Sequence, residues 1–316
     1  MDWRSLEETL AAACEEPDED TAERAVRAAE LVAATSGEPP DDLGVEVAAD
    51  YGDPAGEERA LSEGAGMVDR CAGGAVLVSG PETVRRSNDK AETYALLQRL
   101  GVRAPEFRRV TGAAGVEAAA KELGYPDRPV CFKPVFSSGS RGFRVLDPTV
   151  DRAHQLLYER PGAVAMRLEE AVELLPEDGV DLLVMELATG GERTIDGIAD
   201  GSRIVLGHPK TREAMRAGLA MYFETLDDPG LMETAGTIVE ALEIEWFFNI
   251  QLVGDVVIEV NPRISTIVYQ EDLDLPWLAI KRALGEISDD ELAALQPRVR
   301  PGRVALRFFD QIEFDS

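Results

Sequence analysis

The run Phe248-Asn249-Ile250-Gln251-Leu252-Val253-Gly254-Asp255-Val256-Val257-Ile258-Glu259-Val260-Asn261-Pro262-Arg263 presents hard oxygen donors from two short strands beside an arginine. Glu259 and Asn261 are two positions apart. An extended strand therefore points both side chains to one face, where a carboxylate and a carboxamide can share one Mg²⁺ ion against the phosphates of a nucleotide. Gln251 joins them across a hairpin only if the loop around Gly254-Asp255 has an odd number of residues, because a two-residue turn sets Gln251 opposite Ile258 and on the wrong face. The plainer alternative is a half-buried hairpin ended by an Asn-Pro turn.

A second run adds to this. Pro129-Val130-Cys131-Phe132-Lys133-Pro134-Val135 is a short apolar strand with one lysine, and it leads into Phe136-Ser137-Ser138-Gly139-Ser140-Arg141-Gly142. Small-residue loops expose backbone N–H groups to phosphate oxygens; Gly139 and Gly142 permit close approach, the serines add hydroxyls, and Lys133 brings a compact charge. The loop lacks the Walker pattern and no clear helix follows it, so it is neither a P-loop nor a dinucleotide fingerprint. A surface turn with a solvated lysine is the plainer reading.

In this order, the two runs resemble the ATP-grasp superfamily, and within it the carbamoyl-phosphate-synthase-like and carboxylate–amine-ligase-like branches. The resemblance covers about Ser87 to Asp310. Family members open this region with an Asp-Lys pair, as in Ser87-Asn88-Asp89-Lys90, on a helix that ends in a turn like Gly101-Val102-Arg103-Ala104-Pro105. The strand lysine and phosphate loop are matched by Lys133 and by Ser137, Ser138, Gly139, Ser140 and Gly142. Val184-Met185-Glu186-Leu187 resembles the adenine-binding hinge, so Glu186 and Leu187 are expected at the base. Glu192 stands where many members bind ribose. Gln251, Glu259 and Asn261 match the metal ligands, and Arg263 the catalytic arginine at the phosphate or acyl phosphate.

The resemblance implies an α+β fold in which two α+β lobes clamp ATP, preceded by a shortened or atypical α/β N-terminal region. The expected division is an N-terminal region over 1–86, a small lobe over 87–190 and a large lobe carrying the metal site over 191–316. Relatives usually open their preceding domain on an apolar strand and a glycine turn, and Met1-Asp2-Trp3-Arg4 does not. The implied activity is a ligase using ATP and Mg²⁺, with Mn²⁺ as the alternative cation. A carboxylate attacks the γ-phosphoryl to give an acyl phosphate, an amine displaces the phosphate, and ADP is released. The implied partners are thus a small carboxylate and a small amine, and a homodimer is the assembly to look for. Two rival activities are a non-catalytic ATP-binding subunit and a carbamoyl-phosphate-type kinase or synthase.

Composition agrees with a globular enzyme. The chain has 316 residues, ample for a sizeable core, with 60 acidic against 32 basic residues and a formal net charge of −28. That charge opposes nucleic acid and anionic membranes. Acids scattered along the whole chain, with arginine preferred over lysine, fit a halophile's solvated surface. The only lysines are Lys90, Lys121, Lys133, Lys210 and Lys281, so the two that the family pattern asks for stand out. Cys14, Cys71 and Cys131 have no metal spacing and an odd count, which points to a reducing, cytoplasmic setting with Cys131 as buried filler. No apolar run approaches the ~20 residues that span a bilayer.

Periodicity and turn residues predict how these groups are carried. Residues 1–36 read as two acidic helices, 41–66 as irregular and 75–79 as a buried strand ended by a Gly-Pro turn. Helices follow at about 89–100, 116–123 and 151–158, with strands at 130–134 and 143–146. Strands at 182–188, 193–199 and 203–206 precede an extended stretch at 218–225, a helix at 229–242 and the metal hairpin. Helices at 275–284 and 289–295 and a strand at 303–309 close the chain. His154 is expected to be structural and His208 to be a loop residue without a role or a substrate contact. Arg141 and Arg193 are open between anion binding and surface pairing.

Overall fold

The computed structural model describes residues 77–137, 141–159, 164–216, 219–264 and 273–306, without the side chains of 214–219. The helices expected over 1–36, the stretch 41–66 and the loop residues Ser138, Gly139 and Ser140 lie outside the described residues. Of the strand expected at 75–79, the described part, Leu77–Ser79, pairs with no strand. Ser79 is nevertheless buried, and its hydroxyl donates to the Glu245 carbonyl at 2.8 Å. The Gly80-Pro81 turn opens helix α1 (Pro81–Asn88), with proline preorganised in its first turn.

Helix α2 (Lys90–Arg99) starts because Asp89 caps it, accepting from the Glu92 N–H at 2.9 Å. It stops at Gly101, whose φ of +73° suits glycine. Strand β1 (Phe107–Thr111), which periodicity missed, and α3 (Gly112–Glu122) precede β2 (Val130–Pro134) and β3 (Arg144–Leu146). Then come α4 (Arg152–Tyr158), β4 (Ala165–Met166), α5 (Leu168–Leu174) and β5 (Asp181–Glu186). These strands form one sheet in the order β1-β5-β2-β3-β4.

Both faces of that sheet are covered. In β2 and β5, Val130, Phe132, Leu182 and Val184 pack with α3 and α5, while the alternate residues Cys131, Leu183 and Met185 join a core shared with α2 and the second half of the molecule. Two-residue alternation therefore places Lys133 on the Cys131 side, facing that second half.

The second half is built on β6 (Glu192–Asp200), β7 (Ile204–Thr211), β10 (Glu245–Val253) and β11 (Val256–Asn261), in the order β11-β10-β6-β7. Strand β7 runs well past the predicted end at 206. Strands β8 (Glu213–Arg216), β9 (Leu219–Glu224) and β12 (Val304–Leu306) form a small third sheet, order β12-β9-β8. Helix α6 (Pro229–Leu242) is capped by Asp228, which accepts from the Leu231 N–H at 2.9 Å; its Ala235, Ile238 and Val239 pack with Ile195, Ile250 and Val260 on one face of the four-stranded sheet. Helices α7 (Leu275–Ala283) and α8 (Asp289–Ala293) complete the described chain, and α7 packs on Phe247, Ile198 and Leu206. Among the described residues no helix is long and apolar enough to cross a membrane.

The face opposite α6 carries polar residues in register. One rung reads Asn261, Asn249, Asp196, His208 across all four strands, and the next reads Glu259, Gln251, Thr194, Lys210. Most of these side chains are buried, so they must satisfy one another. Asn249 Nδ2 donates to Thr194 Oγ1 at 2.7 Å and Asp196 Oδ1 at 2.8 Å, while its Oδ1 accepts from Gln251 at 2.8 Å and Asn261 at 3.2 Å. Lys210 and Asp196 form a buried ion pair at 2.7 Å. His208, expected in a loop, is a fully buried residue of β7 whose Nε2 lies 3.2 Å from Thr225 Oγ1.

Burial first, and then the Lys210 charge, lower the His208 pKa from its ordinary 6.5 to about 4, with Asp196 opposing and Arg303 adding to the drop. Between these values the unfolded chain binds a proton that the folded chain refuses, so stability is full above pH 6.5 and is lost as pH falls toward 4. We expect this histidine to remove about 3 kcal/mol of unfolding free energy over that window. Urea unfolding at pH 7 and pH 4 should show a smaller acid loss in His208→Gln than in the unsubstituted protein.

Candidate active site

The metal hairpin turns through only two residues, Gly254 and Asp255, because Val253 faces Val256. By parity this turn should exclude Gln251. Instead the register shifts between Gln251 and Leu252: Leu252 faces Val257, Gln251 faces Glu259, and Ile258 is the extra residue of a β-bulge. The odd loop expected from the sequence is absent, and the bulge supplies the one-residue shift in its place. Val257 and Val260 can then both enter the core although they are three positions apart.

Glu259, Asn261 and Arg263 line one pocket with Lys90, Tyr94 and Ser137. Lys90 Nζ donates to the Ser137 carbonyl at 2.6 Å and lies 3.4 Å from that of Val135, so it ties the end of β2 and Ser137 to the first turn of α2. At the far end of the loop Gly142 has φ +71°, and a Cβ there would lie 2.6 Å from Pro134 Cδ, so only glycine fits. Lys133 reaches the site through Tyr94: its Nζ donates to the Tyr94 hydroxyl at 3.0 Å, and that hydroxyl donates to the Ile258 carbonyl at 2.6 Å.

The electrostatics follow from two ammonium groups packed near one carboxylate. Burial lowers the pKa of Lys90 against the pull of Glu259 and Asp89. Burial, reinforced by the Lys90 charge, lowers that of Lys133 to about 8, with Glu259 and Cys131 opposing. The Cys131 thiol is pushed up to about 12 by burial, which leaves it protonated and inert. Such a site gains from a ligand that brings negative charge between the lysines.

The donor set suits a hard cation in part. Asn261 donates through Nδ2 to Asn249, leaving its oxygen for a cation beside the Glu259 carboxylate. The Gln251 oxygen accepts from Arg212, so a guanidinium already holds it. Among the described residues no three His, Cys, Asp or Glu side chains cluster. A Mg²⁺ ion here would therefore complete its shell from phosphate and water, as Mg²⁺ does at nucleotide sites.

The other expected residues are placed apart from this pocket. Glu186 and Leu187 sit where β5 ends; their N–H groups donate to the carbonyls of Glu106 at 2.9 Å and Pro129 at 3.2 Å. The Glu186 carboxylate lies 4.0 Å from Arg103. Glu192 pairs with Arg212 at 3.4 Å. Arg193 donates to Asp228 and to the Gly254 carbonyl, both at 2.6 Å, which makes it a brace between the cap of α6 and the hairpin turn rather than an anion site. Sequence reasoning missed Tyr94, Asn249, Asp196 and Lys210. A signal existed: Asn249/Gln251, Thr194/Asp196 and His208/Lys210 repeat the two-residue polar spacing of Glu259/Asn261 inside apolar strands.

A family model described as "ATP-grasp in the biosynthetic pathway with Ter operon" matches residues 178–304. Among solved structures, N5-carboxyaminoimidazole synthase from Aspergillus clavatus, in complex with ADP and 5-aminoimidazole ribonucleotide, is similar over 76% of this chain and 60% of its own, at 15% identity and TM-score 0.51. Carboxyaminoimidazole ribonucleotide synthase from the same organism, complexed with ATP, is similar over 74% and 59%, at 16% identity and TM-score 0.53. The chain thus spans less than two thirds of the length of these proteins. These similarities concern the fold: the chain has the ATP-grasp fold.

Proposed function

We propose that this chain is a Mg²⁺- and ATP-dependent ligase of the carboxylate–amine branch, which activates a small carboxylate as an acyl phosphate and couples it to an amine. The observation that carries the reading is the meeting of Glu259 and Asn261 with Lys90 and Arg263 in one pocket, with Lys133 joined to it through Tyr94. ATP-bound and ADP-bound proteins of the same fold support the choice of nucleotide.

Phosphoryl transfer needs alignment and charge neutralisation more than covalent help. Glu259 and Asn261, with Gln251 beside them, would hold Mg²⁺, which when bound would offset the negative charge of the phosphate oxygens. Lys90 and Lys133 meet the phosphates together with the backbone and hydroxyl donors of the Ser137 to Gly142 run, and Arg263 stabilises charge on the phosphoryl group in transit. The end of β5 at Glu186 and Leu187 receives the adenine, and Glu192 the ribose. The acid-rich composition supports work at high salt, and the thiol chemistry a reducing cytoplasm. A homodimer is included in the reading.

Two outcomes test this. ADP formation at high KCl with Mg²⁺ and ATP should require both a carboxylate and an amine from mixed pools, and Glu259→Gln or Lys133→Met should each cost roughly 3 to 4 kcal/mol of transition-state stabilisation, a loss of over a hundredfold in kcat/KM. Tight ATP binding with no ADP from any pool would instead favour a non-catalytic subunit. Lys133 binds phosphate as the ammonium, so MgATP affinity measured by calorimetry should be full below pH 8 and fall as pH rises past about 8, far below the ordinary lysine value of 10.5. Affinity that stays flat to pH 10 would remove Lys133 from the phosphate site.

A further inference from the structure

We propose that Tyr94 is a positioning residue that joins the phosphate lysine of one sheet to the cation-holding hairpin of the other. Its hydroxyl touches both: it donates to the Ile258 carbonyl at 2.6 Å and accepts from Lys133 Nζ at 3.0 Å. Ile258 is the residue that the register skips, and the skip is what brings Glu259 opposite Gln251. An extra residue in a bulge is left out of the ladder, so its carbonyl needs a partner from elsewhere, and a buried carbonyl without one is costly. Because the hydroxyl proton is committed to Ile258, the phenol offers Lys133 only a lone pair. That polarity holds the ammonium on the site side of β2.

The ring is built to keep this bridge still. Tyr94 is 1% exposed, lies on α2 one turn beyond Lys90, and meets Phe107 of β1 edge-on with centroids 5.7 Å apart. The Lys133 ammonium lies 5.4 Å from the centre of the same ring, out beyond its hydroxyl, so it meets the oxygen and not the ring face. Helix α2 therefore fixes Lys90 directly and Lys133 through Tyr94.

This inference rests on the reading of Lys133 as a phosphate ligand and Glu259 as a cation ligand, and its test separates the two. ATP binding in EDTA is measured by calorimetry for the unsubstituted full chain, Tyr94→Phe, Lys133→Met and the double variant. Loss of the hydroxyl should weaken ATP about tenfold, the scale of one hydrogen bond to a charged group. That loss should vanish in the Lys133→Met background, since the two act as one unit. In a second measurement, the Mn²⁺ concentration that half-saturates the ATP complex should rise severalfold in Tyr94→Phe and stay unchanged in Lys133→Met. Phe107→Leu, which loosens the ring but keeps the hydroxyl, should shift both readings by less than Tyr94→Phe does. Tyr94→Leu, which also lacks any hydrogen-bonding group, gives the same readings where the phenylalanine variant does not fold. An ATP loss that persists in the Lys133→Met background, or an unchanged Mn²⁺ requirement, overturns the bridge while leaving the ligase reading intact. An unsubstituted chain that binds ATP neither in EDTA nor with Mn²⁺ overturns both.

Discussion

A sheet that turns polar side chains into a protein's interior must answer each of them with a partner, because a buried donor or acceptor left alone costs about 1 to 3 kcal/mol. Here two adjacent rungs of the four-stranded sheet carry such groups, and the site depends on how they are answered. Asn249 is the centre of the arrangement. Its amide nitrogen reaches β6 and its oxygen collects Gln251 and Asn261, so the carboxamide of Asn261 is held by its nitrogen with its oxygen turned outward. The Asp196–Lys210 pair and neutral His208 close the far end. A site held in this way is preorganised, since the groups that meet a charged ligand are oriented before it arrives.

The lysines show the same economy in a chain that otherwise avoids them. Lys90 and Lys210 are buried and Lys133 is half-buried, while Lys121 is exposed on α3. An ammonium is strongly hydrated, so burying one is unfavourable unless carbonyls, a carboxylate or an aromatic face replace the water. Lys90 has the Ser137 carbonyl, Lys133 the Tyr94 hydroxyl, and Lys210 the Asp196 carboxylate. Where arginine would serve on an acidic surface, as in Arg85 with Glu82 and Glu92, the chain uses arginine. Three of the five lysines thus stand at the pocket or its supporting rungs, while Lys121 pairs with Glu117 on the surface and Lys281 is half-buried beside Trp277.

Much of the fold was legible residue by residue. Helix α6 runs from Pro229 to Leu242 as its pattern and its Asp-Pro start require, β2 from Val130 to Pro134 as its apolar run requires, and α2 begins at the Asp-Lys pair. What escaped were elements whose local pattern is weak. Phe107–Thr111 holds two arginines among five residues and becomes a strand only because β5 pairs with it; Leu168–Leu174 is an ordinary acidic helix whose one apolar side meets the first sheet. Strand β7 extended to Thr211 through a Pro and a Lys that read as loop, since pairing with β6 outweighs propensity.

The sequence by itself determined which residues share a face. Two-residue spacing joins Glu259 to Asn261, Asn249 to Gln251 and Cys131 to Lys133 whatever the fold, because a strand alternates its side chains. Which strands lie side by side, and in what register, was decided only by the tertiary structure. The parity of a two-residue turn sends Gln251 away from Glu259, and nothing local to the hairpin marks Ile258 as the residue to be skipped. The bulge exists because Val257 and Val260 are both drawn into the core against α6 and α2, and because Tyr94, distant in sequence, supplies the hydrogen bond that the extra carbonyl needs. Both are long-range contacts, and their energy appears only when the whole chain has closed around them.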